Sequence, residues 1–261
     1  MKKTVLLLNI IFFIALNSFG QKNRTCGQIE YKFTTNIAYE YIQNYTLTFN
    51  NRESLCKEVN VKKESSNKNI EEKDEGLQQN FIVGRKNTTK KYYYNTRDEF
   101  YVKDNYLDEI LIYKENKIKE DWKLHSETKQ LSNFLCKKAT INFRGRSYTA
   151  WYTTKIPVPF GPWKLRGLPG LILELYDTDK FFHVIAKHVK LAANSCTISV
   201  DKKELEKAMT LDFYLNKREE LIDEMFAKMS AKRPKGNKSF KQNKDCEDCQ
   251  KKSIEIFNEK K

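Results

Sequence analysis

The residues whose types could do chemistry are few: the pair Cys246 and Cys249, the histidines His125, His183 and His188, and Glu174 inside the apolar run Leu171-Ile-Leu-Glu-Leu175. Cys246-Glu-Asp-Cys249 has the spacing of a redox pair or half a zinc site. Its neighbours Asp245, Glu247 and Asp248 would raise the thiol pKa, where a redox cysteine needs it lowered. Gln250 stands where haem attachment needs histidine, and no second CxxC exists to complete a zinc site. His183 and His188 are five apart on one strand-like run, which puts them on opposite faces unless a bulge intervenes. His125, between Asp121 and Glu127, reads as a solvated strand edge. Glu174 either faces water from a one-sided strand or lies in a cavity paired with Arg166 or Arg144. The second arrangement would suit a hydrolase. No G-x-S-x-G elbow, H-E-x-x-H helix, phosphate loop or dinucleotide fingerprint is present. No catalytic residue, metal or cofactor is therefore expected.

The elements that must position these residues are mainly β. Ile29, Tyr31 and Phe33 alternate with polar residues, as do Tyr45, Leu47 and Phe49. Runs at Asn80–Arg85, Lys91–Thr96, Glu99–Lys103, Glu109–Tyr113 and Lys117–Leu124 extend the pattern. Phe134–Phe143 and Tyr148–Thr154 form a hairpin around Arg144-Gly145-Arg146, and Leu171–Tyr176 and Phe181–Leu191 form another. The spacing predicts a mainly β (α+β) fold: a curved antiparallel sheet or half-barrel followed by one or two C-terminal helices. Lys62–Gly76, charged and poor in apolar residues, reads as a surface loop. Past Val200 the period turns helical, with Asp201 and Glu204 spaced as a capping box and Thr210 as a second cap. The resulting division is a signal peptide over 1–20, a β domain over 21–200, a helical segment over 201–232 and a basic, loosely ordered tail over 233–261.

Four of the five prolines, Pro157, Pro159, Pro162 and Pro169, fall together with Gly161, Gly167 and Gly170. Proline fixes φ and glycine permits conformations closed to other residues, so the stretch is a stiff connection. Phe160, Trp163, Leu165 and Leu168 give it an apolar side; Lys164 and Arg166 are expected to point outward. Two readings follow. One is a preorganised binding loop with Trp163 as anchor, Trp151 and Glu174 nearby, and Lys164 and Arg166 as a basic rim. The other is a rigid plug closing one end of the sheet.

Gly167-Leu-Pro-Gly-Leu-Ile172 resembles the signature of the GLPGLI family of exported proteins from Gram-negative bacteria. Arg144-Gly145, Ala150-Trp-Tyr-Thr153, Ile156-Pro157, Gly161-Pro162-Trp163 and Gly27-Gln-Ile-Glu-Tyr31 are similar to it as well. The resemblance runs from about Gly27 to Leu191. It implies export and a β architecture, carries over no catalytic residues, and places the family's genes often near those of outer-membrane transport receptors.

Lys2 and Lys3 precede an apolar run from Val5 to Leu16, shorter than the roughly 20 residues that span a bilayer. With Ser18-Phe-Gly20 behind it, the segment reads as a signal peptide cleaved near Gly20, placing the mature chain in the periplasm or outside the cell. An oxidising compartment makes Cys26, Cys56, Cys136, Cys196, Cys246 and Cys249 disulfide candidates with open connectivity. The 261-residue chain has 48 Lys+Arg against 34 Asp+Glu, a net charge of +14. In the cytoplasm that excess would suggest nucleic acid, and Tyr92-Tyr-Tyr94 beside Lys90-Lys91 could stack bases. In an exported protein it suits an anionic membrane surface or an acidic envelope partner instead. The expected function is a non-catalytic binding or accessory role in the envelope. The alternatives are a hydrolase around Glu174 and a disulfide or metal accessory protein using Cys246 and Cys249.

Overall fold

The computed structural model describes residues 26–36, 40–59, 89–107, 109–116, 120–192, 196–231 and 254–257. The expected signal peptide, the Lys62–Gly76 loop, the Asn80–Arg85 strand and the Cys246/Cys249 pair lie outside these residues. Two antiparallel meanders make one open sheet. The first comprises β1 (Cys26–Asn36), β2 (Glu40–Phe49), β3 (Ser54–Val59), β4 (Tyr92–Asn95), β5 (Phe100–Tyr106) and β6 (Glu109–Glu115). The second comprises β7 (Lys123–Leu131), β8 (Phe134–Phe143), β9 (Arg146–Thr153), β10 (Leu171–Asp177) and β11 (Phe182–Ala192). Antiparallel pairing of β1 with β11 joins them. The two-residue β12 (Met209–Thr210) adds in parallel at the β6 edge, giving the order β12-β6-β5-β4-β3-β2-β1-β11-β10-β9-β8-β7.

Period-two alternation decides which face is dry. Ile29, Tyr31 and Phe33 on β1, Tyr45, Leu47 and Phe49 on β2, and Tyr148, Ala150 and Tyr152 on β9 enter one core. Burying each of the larger side chains contributes about 1.5–3 kcal/mol. Phe100, Val102, Leu111 and Tyr113 form a smaller core with Tyr214 and Leu221 of α2 (Leu211–Ala231). Asp201 caps α1 (Lys202–Glu206) by accepting from the Lys203 amide at 2.9 Å, and Thr210 accepts from the Phe213 amide at 3.3 Å to start α2. The expected capping box is not reciprocal, because the Glu204 carboxylate binds Lys103 at 2.6 Å instead.

Other expectations need correction. Residues 120–122 are not strand; β7 starts at Lys123 and continues to Leu131. A bulge in β11 leaves Lys187 without a register partner, as His188 pairs Glu30 and Ala186 pairs Tyr31. The extra residue brings His183 and His188 to the same face. They lie opposite Thr34 and Glu30, four residues and roughly 13 Å apart along β1, too far to share a metal ion.

Among the described cysteines, Cys26 and Cys196 form a disulfide, while Cys56 and Cys136 are unpaired buried thiols. Burial pushes the Cys56 thiol well up. Burial, then Glu174, pushes the Cys136 thiol up to about 11. Neither is a thiolate at neutral pH. Both should stay silent towards a thiol reagent in the native chain and react once it is unfolded; fast native labelling of either would contradict the placement. Replacing Cys26 and Cys196 together by serine should cost about 2–4 kcal/mol in urea unfolding.

Candidate functional site

The connection from β9 to β10 lies over the core face of the sheet. Ile156, Val158, Phe160, Trp163, Leu165 and Leu168 all join the main core, with Trp163 5% exposed. Its indole meets Phe143, Tyr148 and Phe182 at centroid distances of 5.8, 5.7 and 4.9 Å. Backbone bonds from the Gly167 amide to the Pro159 carbonyl at 3.0 Å and from the Ile172 amide to the Phe160 carbonyl at 3.1 Å fix the loop's shape. A Cβ at Gly170 would overlap the Thr153 carbonyl oxygen, so the loop can press against β9 only with glycine there. Pro157, Pro159, Pro162, Pro169, Gly161 and Gly167 therefore shape a plug. Its aromatic anchor serves the interior.

Lys164 and Arg166 do not form the expected basic rim; both are buried. Lys164 Nζ contacts Glu115 Oε2 at 2.9 Å, Glu255 Oε2 at 2.8 Å and Glu255 Oε1 at 2.9 Å, above the Tyr113 ring. Burial acts to lower the Lys164 pKa, but Glu255 and Glu115 outweigh it and hold the ammonium above its ordinary value. Arg166 binds Asn95 Oδ1 and Glu120 Oε1, the latter at 3.2 Å, while the Trp122 indole donates to the Arg166 carbonyl at 2.7 Å. These two cations point inward because acids brought by distant elements lie beneath them.

A short segment of the expected loose tail completes this pocket. Arg144 and Gly145, with φ of 48° and 71°, form the two-residue hairpin turn between β8 and β9. Residues 254–257 lie along it. Ile254 packs against the core, its carbonyl accepting from the Tyr148 hydroxyl at 2.8 Å, and the Ile256 amide donates to the Arg144 carbonyl at 2.9 Å. A Cβ on Gly145 would come within 2.7 Å of Ile256 Cβ, so bare backbone at the turn makes room for that side chain. The Phe257 ring lies 4.6 Å from the Arg144 guanidinium, whose Nη2 binds Glu115 Oε1 at 2.5 Å.

Glu174 occupies the other face of the sheet, in register with Trp151 and Ile185 and beside a bulge at Leu173. It is 5% exposed, which departs from the solvent-facing expectation. Its partners are Lys129 Nζ at 2.5 Å and His183 Nε2 at 3.0 Å, rather than Arg144 or Arg166. Lys129 also sits over the Trp151 ring at 5.6 Å. Burial opposes ionisation of Glu174, yet the hydrogen bonds from His183 and Lys129 lower its pKa. A carboxyl with a lowered folded pKa stabilises the fold above its unfolded value, and that contribution disappears as pH falls through the folded value. Stability should therefore drop on acidification below about pH 4. Glu174→Gln should be less stable at neutral pH and show a shallower acid limb in urea midpoints taken from pH 7 to 3. An unchanged limb would remove Glu174 from this balance. An ion-paired carboxylate beside a protonated thiol is not a nucleophile–base pair. No cluster of three metal-ligating side chains exists among the described residues.

Of the residues singled out in the sequence, Phe160, Trp163 and Leu168 lie in the core, Lys164 and Arg166 over buried acids, and Trp151 and Glu174 opposite each other in the sheet; Glu115, Glu120, Lys129 and Glu255, which decide where the charges go, were not singled out. Only the isolated Ile254-Glu-Ile-Phe257 run in a Lys-rich stretch could have signalled the docked segment.

A family model described as a protein of unknown function (Porph_ging) matches residues 142–174. That span runs from the end of β8 through the turn and plug into β10. It contains the hexapeptide that carries the GLPGLI resemblance. No curated protein matches the chain. Among solved structures, PNGF-II in its C2 crystal form is similar at 18% identity and a TM-score of 0.45, covering 71% of this chain and 30% of that one. Its P21 form gives 18% and 0.48, with 74% and 32% covered. An uncharacterized conserved protein from Thermus thermophilus is similar at 10% identity and a TM-score of 0.35, covering 73% and 93%. The chain thus spans about a third of the PNGF-II chains it resembles.

Proposed function

We propose that the chain is an extracytoplasmic, non-catalytic binding or accessory protein of the bacterial envelope. It engages its partner at the pocket beside the β8–β9 turn, and the Pro/Gly loop forms the wall of that pocket. The observation that carries this reading is the charge arrangement: Lys164 and Arg144 converge on a place where Glu115 supplies one carboxylate and a separate segment supplies the other. Export is supported by the apolar N-terminal run behind Lys2 and Lys3 and by the Cys26–Cys196 disulfide. An envelope protein such as an outer-membrane receptor is the favoured partner; an anionic membrane surface is the second.

The test is capture of a discrete protein from a detergent extract of the producing cell's envelope by the immobilised chain. Capture should be saturable and fall at least about tenfold with Arg144→Ala at unchanged circular dichroism, since a charge-assisted contact contributes about 1.5–3 kcal/mol. Turnover in a hydrolase screen that disappears with Glu174→Gln would overturn the reading in favour of an enzyme.

A further inference from the structure

Resting on that reading, we infer that the pocket recognises an extended peptide bearing a carboxylate between apolar residues and followed by an aromatic ring. Ile254-Glu255-Ile256-Phe257 is the chain's own occupant of this site, exchanged for a partner segment of the same chemistry.

Three observations carry this. First, the charges balance only with Glu255 in place. Without it, Lys164 and Arg144 face Glu115 alone, leaving one positive charge uncompensated at a lysine whose side chain is 3% exposed with the segment seated. Such a charge is costly to bury, so an empty pocket is disfavoured and the site trades one carboxylate for another. Second, the resident segment satisfies the site incompletely. Among the described residues Arg144 Nε is buried without a hydrogen-bond partner, and the Glu255 carboxylate stands 3.9 Å away, beyond hydrogen-bond reach. A carboxylate seated slightly deeper would bond both Lys164 and Arg144, giving a competitor something to gain. Third, the site reads main chain as well as charge. The Tyr148 hydroxyl donates to the carbonyl of residue 254, and the Arg144 carbonyl accepts from the amide of residue 256. A phosphate head group offers no N–H for that carbonyl, so the chemistry favours peptide over lipid.

The experiment uses the full chain and a fluorescein-labelled peptide Ser-Ile-Glu-Ile-Phe-Asn, matching residues 253–258. A chain carrying E255Q and F257A has a weakened internal occupant of nearly unchanged shape. It should bind the peptide saturably and about tenfold to a hundredfold more tightly than the unaltered chain. Replacing the peptide's glutamate by glutamine, or adding R144A to the chain, should reverse that gain. Equal affinity for both chains, or no binding by a variant with native near-ultraviolet circular dichroism, would overturn the inference. So would displacement of the label by phosphatidylglycerol vesicles but not by unlabelled peptide. If the double variant does not fold, E255Q alone decides by the same anisotropy readout. Envelope capture that persists when the peptide fails would sink this inference and spare the proposed function; loss of both would sink both.

Discussion

Trp163→Ala should cost about 3–5 kcal/mol, the range for emptying a large aromatic site in a core. The indole is 5% exposed and touches rings from β8, β9 and the start of β11, so its removal opens a hole where three strands and the plug meet. The loop cannot collapse into it, because Pro162 and Pro169 fix the backbone on either side and Gly170 is already against Thr153. Domains are stable by only about 5–15 kcal/mol, so the variant should unfold at much lower urea and lose its near-ultraviolet signal early. A variant of normal stability that binds its partner poorly would instead restore Trp163 as a surface anchor and refute the plug.

Lys164→Met should cost about 3 kcal/mol at neutral pH. Removing one member of a buried ion pair costs about 3–5 kcal/mol because the partner charge stays behind. Here the loss should sit at the low end, since Arg144 still faces Glu115 and stands 3.9 Å from Glu255. Adding Glu115→Gln to Lys164→Met should cost less than the sum of the two single losses, as Glu115 keeps only Arg144 as a partner once the lysine is gone. Urea midpoints of the wild type, both single variants and the double variant check this as a coupling cycle. Additive losses would show that the two groups do not act as a pair.

Strand positions were legible where aromatic and β-branched residues alternate, as in β1, β2, β8 and β9, because period two with one dry face is a local signal. β3 was missed because Ser54-Leu-Cys-Lys-Glu-Val59 carries no aromatic residue and only two large aliphatic ones. Residues 120–122 were misread as strand because Trp122 looks like a strand aromatic, whereas its indole caps the Arg166 carbonyl in the plug. The direction of Lys164 and Arg166 was not readable locally. Their acids lie 49, 91 and 46 residues away, at Glu115, Glu255 and Glu120, and only tertiary structure puts them beneath the loop. Glu174 failed for the same reason, since Lys129 comes from the edge strand β7, three places across the sheet from β10.

The strand order has a consequence for how the chain assembles. Within each meander every strand pairs with its sequence neighbour, so each half assembles from contacts closer in sequence than the pairing that joins the halves. Among the described strands, the β1–β11 pairing joins the halves within the sheet, matching Cys26 with Ala192 at one end and Thr35 with Phe182 at the other, while Lys164 and Arg166 of the plug reach Glu115 and Asn95 of the first half. Contacts of such long sequence separation form slowly, so the two sheets should come together late, after each has largely formed. The Cys26–Cys196 bond sits at the mouth of that junction. Oxidation therefore acts as a latch on the last step of folding, and reduction should loosen the Cys26–Ala192 end of the β1–β11 seam first.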